Sequence, residues 1–494
     1  MSIWNKKPLI KLLAEAEDSE KGLKRTLTAW SLIALGIGAI IGAGLFVRTA
    51  TAAAQSAGPS VTLGFVVAAI GCALAGLCYA ELSSSIPISG SAYTYTYATM
   101  GEFLAWIIGW DLILEYAVGG ATVGIAWSEY LNDLLVNVIH TSPIPFEFSH
   151  SPFQTSPDGL HQGIINLPAL FIVTIISLLL IKGIQESAFV NGVIVILKTT
   201  IVILIIYIGW KFINPVNHTP YIPQPSVFTD EHGIEHSFGG IMGILGAAGT
   251  VFFAFIGFDA VSTAAQETKN PKTAMPIGIL GSLAICTVLY ILFAHVLTGV
   301  ATVEDFRTGG KEASVAFAIN KYMIGYEWLG ELVTIAILAG FSSVILVLLL
   351  GQSRVFYSMG RDGLLPKMFS DVHPKFKTPY KANLAILVIV GGFAAFIPGD
   401  IVGDMTSIGT LFAFVLVCIS VIILRKKEPD MVREFRTPFV PFIPILGAIV
   451  CLAMMYGLGW INWMRLFLWM GIGIVVYFSF SRKNSVLNNS QETK

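Results

Sequence analysis

Twelve apolar stretches divide this chain, and no other feature limits its folding as much. They lie near residues 28–54, 60–84, 95–120, 164–182, 187–212, 238–265, 275–300, 328–356, 382–398, 402–424, 438–458 and 460–481. About 20 apolar residues cross the hydrocarbon core of a bilayer as a helix. Within lipid each backbone N–H and C=O must be satisfied by the segment itself, and a lone segment achieves that only as a helix. Charged residues make up 12% of the 494 positions, too few to coat a soluble globule, where about 25% is usual. The expected class is an all-α polytopic membrane protein. The net charge of −1 says nothing about nucleic acid, no basic run is long enough to argue for it, and no nucleic-acid partner is expected.

Lysine and arginine orient the spans. With the N-terminus in the cytoplasm, the inner face holds the N-terminal lysines, Lys182, Lys269, Lys272 and a set from Arg354 to Lys381. It also holds a set from Arg425 to Arg436 and the C-terminal Arg482, Lys483 and Lys494. The loops 137–163 and 213–237 contain neither residue type between them and fall outside, as the positive-inside rule requires. An even count of spans with both termini inside follows. The third span is expected to continue as helix beyond the membrane, toward Leu135. The segment 1–27, with Trp4, Leu9, Ile10, Leu12 and Leu13 among lysines, reads as an interfacial helix or a plain cytoplasmic tail, without the apolar core of a signal peptide. Residues 482–494 form the second cytoplasmic tail. Cys72, Cys78, Cys286, Cys418 and Cys451 all fall in apolar segments without ligand spacing and read as small buried hydrophobes. No metal and no cofactor is expected.

The stretch "LGIGAIIGAGLF" (residues 35–46) places Gly36, Gly38, Gly42 and Gly44 in the middle of the first span. Glycine weakens a helix interior by about 1 kcal/mol relative to alanine. One reading is close helix packing through small residues, for which Gly38 and Gly42 have the spacing. The other is an interrupted helix lining a binding cavity. The sixth span, "GTVFFAFIGFDAVSTAAQETKNP" (residues 249–271), has a second weak point at Gly257, beside the ionisable Asp259. The first span runs from inside to outside and the sixth from outside to inside. Each opens a block of five spans, and interrupted helices at matching places in two inverted halves point to a transporter site.

These residues resemble known signatures. "GIGAIIGAGLF" is similar to the first-span motif of the amino acid–polyamine–organocation superfamily. "FFAFIGFDAVSTAAQETKNPKTAMP", "GWDLILEYAVGG" (residues 109–120) and "SRVFYSMGRDGLLPKMFSDVHPKFKTPYKAN" (residues 353–383) resemble the cationic amino-acid transporter branch of that superfamily, over a match from about Arg25 to Arg436. The resemblance implies the leucine-transporter fold: two inverted five-helix repeats, 28–212 and 238–424, plus two peripheral helices within 438–481. It also implies alternating-access transport of amino acids. Animal relatives often have fourteen spans and carry cationic amino acids. Twelve are counted here, so a cationic substrate does not carry over, and small neutral, branched and cationic side chains stay open.

By the same resemblance the amides of Gly42, Ala43 and Gly44 meet the substrate carboxylate at the positive end of a half-helix. Carbonyls of Ile40, Phe253, Ala254 and Ile256 take the ammonium, and the Phe253 ring covers the substrate. Ile113, Leu346 and Ser407 are the candidates facing its side chain. Glu115 and Asp111 share one helix face. Glu115 lies near mid-span, where an ionisable group is a functional candidate, and Asp111 lies toward the cytoplasmic end, where it meets water or a backbone donor. Arg361, Asp362, Lys269 and His295 read as structural or loop contacts. In sodium-coupled relatives an ion sits between spans one, five and eight. Lys198 falls at that place here, opposite Ser342 and Ser343, so its ammonium would replace the ion and donate to carbonyls near Gly38 and Ile41. The expected function is proton-coupled amino-acid symport into the cell across the plasma membrane, with Lys198 as coupling group and Asp259 as second candidate. The expected partners are an amino acid, protons and membrane lipids. The rivals are an amino-acid exchanger and a sensor that has lost transport. A channel or a membrane enzyme lacks support: no HExxH or GxSxG motif is present.

Overall fold

A computed structural model describes residues 4–8, 12, 25–42, 44–156, 159–229, 235–308, 314–398 and 403–492. Among these, eight helical stretches are long and apolar enough to cross a membrane: Gly44–Ser85, Glu102–Val136, Ser187–Phe212, Gly240–Glu267, Pro271–Val300, Glu327–Arg361, Thr406–Lys427 and Trp460–Asn484. Four shorter apolar helices accompany them: Ala29–Ile40, Leu167–Lys182, Tyr380–Phe396 and Phe442–Gly457. Each of the twelve apolar segments therefore carries helix. Ala43 and most of the segment 1–27 lie outside the described residues.

The main helices are numbered in chain order: α1 (Ala29–Ile40), α2 (Val61–Ser85), α3 (Ser91–Thr99), α4 (Glu102–Ile113), α5 (Gly119–Asp133), α6 (Leu167–Lys182), α7 (Ile184–Gly209), α8 (Gly240–Phe252), α9 (Pro271–Val300), α10 (Glu327–Arg361), α11 (Tyr380–Phe396), α12 (Gly403–Lys427), α13 (Phe442–Gly457) and α14 (Trp460–Val476). The second half of the first span, Gly44–Ala57, follows α1 after the interruption. α9 lies against both α1 and α2, α7 packs on α10, and both α7 and α10 also touch α1. The backbone at the two interruptions is buried at Ile40, Ile41, Ala254 and Ile256, and irregular backbone at membrane depth persists only where protein covers it or a cavity adjoins it.

Two local features differ from the sequence reading. The third span begins at Glu102 rather than near residue 95, because Gly101 turns the chain with φ +109 and separates α3 from α4. A π-helical turn at Leu114–Val118 then joins α4 to α5, and a further one at Leu134–Val138 carries the helix past Leu135, as expected. The chain is also not wholly α: strands Ser226–Thr229 and Glu235–Phe238 pair antiparallel in the loop before α8, with Ser226 opposite Phe238. The five cysteines are buried and unbridged, in line with their reading as small hydrophobes.

Candidate functional site

The first interruption lies where the glycines placed it. α1 ends at Ile40, and Ile41 turns extended (φ −77, ψ 102) while its N–H still reaches the Ile37 carbonyl. The Gly42 carbonyl then accepts the amides of Leu45 and Phe46 and starts the next half-helix. The second interruption follows α8: a short turn at Phe253–Phe255, an extended Ile256 (φ −55, ψ 135), and Gly257 with φ +108, where a side chain would be strained. The two touch each other. A Cβ on Gly44 would sit 2.2 Å from the Ala254 Cα, and one on Gly257 2.6 Å from the Ala39 Cβ. Close packing and interruption, posed as alternatives for these glycines, occur together.

Tyr290 of α9, which the sequence did not single out, fastens the two interruptions. Its hydroxyl lies 2.5 Å from the Ile40 carbonyl and 3.0 Å from the Ala254 carbonyl. Two of the four carbonyls expected to face a substrate ammonium, those of Ile40 and Ala254, thus share a single hydroxyl proton.

A cavity opens beside the interruptions. Its walls include Ile40, Gly42, Gly44, Phe253, Ile256 and Glu115, all expected from the sequence. Ala254 packs behind Gly44 instead and does not line it. The remaining wall is Ala39, Gly119, Val123, Val344, Leu348 and Thr406, and not Ile113, Leu346 or Ser407. Val344 and Leu348 flank Leu346 by two positions on α10, the opposite side of a helix. Ile113 stands two positions before Glu115 and so faces away from the cavity wall that Glu115, Gly119 and Val123 form.

Glu115 is fully buried, and neither carboxyl oxygen has a hydrogen-bond partner among the described residues. An ionisable group so placed calls for a ligand, a proton or water. Asp259 is buried too. One of its oxygens accepts from the Tyr116 hydroxyl at 2.5 Å, and the other has no partner among the described residues. Asp111 departs from expectation: it is only 1% exposed, packed near Gly409 of α12, and neither carboxyl oxygen has a hydrogen-bond donor among the described residues.

Lys198 of α7 reaches the first interruption from the other side. Its Nζ donates to the carbonyls of Gly38 at 2.7 Å and Ile41 at 2.6 Å, and to Ser343 Oγ of α10 at 2.7 Å. Three acceptors saturate an ammonium. Ser342 is not part of this cluster, because its hydroxyl turns back to the Leu338 carbonyl of its own helix. Asn191, two turns earlier on α7, adds a bond to the Ala34 carbonyl at 2.9 Å.

Charged groups close the two ends. Arg48, inside the first apolar run and overlooked in it, places its guanidinium carbon 5.3 Å from the centre of the Phe253 ring. Arg354 and Glu267, both wholly buried, form a two-pronged ion pair with its shorter contact at 2.6 Å. Asp362 is held by Lys7 at 2.6 Å and by the Tyr93 hydroxyl at 2.7 Å. Arg361 lies over the Tyr357 ring, the Lys269 amide bonds the Leu27 carbonyl, and His295 packs against His218 and Trp210 near the C-terminal end of α9.

Residues 27–480, nearly all of this architecture, match the family described as amino acid permease. The chain belongs to that family. Its relatives include the branched-chain amino acid permease BcaP of Bacillus subtilis (strain 168), 44% identical over 491 residues, and the methylthioribose transporter of the same organism, 41% identical over 488 residues; each match covers 99% of both chains. The vacuolar cationic amino acid transporter 2 of Arabidopsis thaliana is 35% identical over 414 residues, covering 83% of this chain and 61% of that one. The chain is thus a multi-pass membrane transporter of the amino acid–polyamine–organocation superfamily, and not an enzyme.

Proposed function

We propose that this permease is a proton-coupled amino-acid symporter of the plasma membrane, working by alternating access through twelve spans arranged as two inverted five-helix repeats and two peripheral helices. The observation that carries the coupling is Lys198. Its ammonium bridges α7, α10 and the carbonyls at the end of α1, so its proton determines whether these elements are tied. Protonated, it holds α1 in place beside the cavity. Deprotonated, it keeps two N–H donors, so it loses one of the three bonds and the charge assistance of the other two, where a bond to a charged group is worth about 1.5–3 kcal/mol, and α1 is released toward the inner side. Asp259 is the second candidate for this role. In this reading both termini lie in the cytoplasm.

The substrate carboxylate is met by the amides that follow Ile41, at Gly42, Ala43 and Gly44. Its ammonium faces the carbonyls of Ile40, Phe253 and Ile256, with Phe253 closing above. The wall from Val123, Val344 and Leu348 is apolar and favours a neutral, apolar side chain such as leucine, in keeping with the name of the branched-chain permease relatives. A second reading rests on Glu115, whose partnerless carboxyl in the cavity wall suits the side-chain charge of lysine or arginine, in keeping with the name of the cationic transporters.

The test is reconstitution in liposomes with labelled leucine and labelled lysine. A symporter accumulates substrate under an imposed inward proton gradient and acidifies the lumen. An exchanger shows counterflow without gradient-driven accumulation, and a sensor shows binding without either; both results overturn the proposal.

A further inference from the structure

The outer half-helix of the first span, Gly44–Ala57, ends far from the cavity, and its last carbonyls have no helical partner of their own. Two different segments supply them. Gly239, at the start of α8, donates its N–H to the Ser56 carbonyl at 2.8 Å. Arg307 donates its Nε–H to the Ala54 carbonyl at 3.0 Å. Arg307 belongs to a short helix, Val303–Thr308, in the loop that follows α9.

The same guanidinium lies between two aromatic rings of the hairpin. Its central carbon is 4.4 Å from the centre of Phe228 and 4.7 Å from that of Phe238. Ser226 pairs with Phe238 and Phe228 with His236, so the two phenylalanines are diagonal neighbours on one face of the hairpin. A planar guanidinium can stack on both rings and still offer an N–H from its edge, whereas a lysine ammonium is a point charge that cannot do both. The helix carrying Arg307 is itself anchored: Asp305 takes Lys321 at 2.6 Å, the Tyr322 hydroxyl at 2.7 Å and the Thr302 hydroxyl at 2.6 Å. Burial works to raise the Asp305 carboxyl, but hydrogen bonds from Lys321, Thr302 and Tyr322 outweigh it and hold it below the ordinary carboxylate range. The anchor therefore stays charged at every physiological pH.

We propose that Arg307 is a positioning residue for transport: it straps the outer half-helix of the first span to the hairpin and to the loop after α9, so that all three move as one body when the outer side closes. The half-helix carries Gly44 at its other end, against Ala254 of the second interruption. At about 1.5 Å of rise per residue, the ten steps from Gly44 to Ala54 form a lever roughly 15 Å long, and a loose far end slows its joint movement with the hairpin and the loop. The strap thus sets how fast the cavity closes and leaves substrate contacts unchanged.

This inference rests on the alternating-access reading above. The test compares wild type with Arg307→Lys, which keeps the charge and loses the stacking, and with the double variant Phe228→Leu/Phe238→Leu, which keeps the arginine. Leucine affinity, leucine counterflow in liposomes and hydrogen exchange of the 44–57 and 226–238 peptides are measured. Both variants are expected to bind leucine within about twofold of wild type and to exchange it about tenfold more slowly. Backbone exchange is expected to rise together in the two peptides and to stay unchanged around Glu267 and Arg354. A purely structural role would lower binding and rate in parallel, and that result overturns the proposal. So does wild-type counterflow in Arg307→Lys, or increased exchange confined to the hairpin. If wild type itself shows no counterflow, the transport reading fails, while the joint exchange of the two peptides still tests the strap.

Discussion

Gly44→Ala adds a single methyl at the contact on which the site depends. Gly44 has no positive φ, so the backbone tolerates the alanine and the penalty is contact alone. The added Cβ would stand 2.2 Å from Ala254 Cα, 2.6 Å from its Cβ and 2.7 Å from its backbone nitrogen. Carbon atoms rest at about 3.5–4.0 Å, and backbone cannot rotate away as a side chain can. The half-helix must therefore retreat from the second interruption by about 1–2 Å, carrying with it the amides that face the carboxylate. Overpacking of this kind costs about 1–3 kcal/mol, which corresponds to a loss of roughly 5- to 150-fold in affinity. Gly44→Val, with two further methyls, is expected to abolish binding while the protein stays folded and inserted. Equilibrium binding of labelled leucine to detergent-purified protein measures both variants, with gel filtration confirming a monodisperse fold. Binding by Gly44→Ala within twofold of wild type would refute the placement of the carboxylate.

Phe253→Ala is expected to weaken leucine binding and slow transport, whereas Phe253→Trp is tolerated, because the ring roofs the cavity beneath Arg48; uptake kinetics that do not change in the alanine variant dismiss it as a gate. Tyr290→Phe removes the hydroxyl shared by the Ile40 and Ala254 carbonyls and is expected to destabilise the protein by about 1–3 kcal/mol. That loss is read as a lowered thermal midpoint, and an unchanged midpoint means that the hydroxyl does not bind the two interruptions together.

How much was legible in the sequence depends on whether a feature is local. The apolar segments, the interruptions at Gly42–Gly44 and Gly257, and Lys198 announce themselves along the chain, because lipid punishes a weak helix or a lone ammonium wherever it occurs. The pairing of segments is not written locally. Tyr290 reads as one aromatic among many apolar residues until α9 is laid against both interruptions. Leu346 was expected at the cavity where Val344 and Leu348 stand, because helix phase follows from packing and not from composition. Ile113 failed for the same reason: it stands two positions before Glu115, which lines the cavity, and so lies on the other side of the helix. Arg48 was legible and overlooked, since one arginine in a long apolar run hardly lowers its mean hydropathy. The hairpin at Ser226–Phe238 left only a weak mark, four-residue strands in a polar loop.

The central claim is that the Lys198 proton couples the gradient to transport, and gradient-driven uptake tests it most directly. Wild type, Lys198→Met and Lys198→Ala are reconstituted at equal density, and labelled leucine uptake is followed with and without an inward proton gradient. Wild type is expected to accumulate leucine only with the gradient, and both variants are expected to bind leucine yet fail to accumulate it. Accumulation by both variants with the pH dependence of wild type would contradict the account.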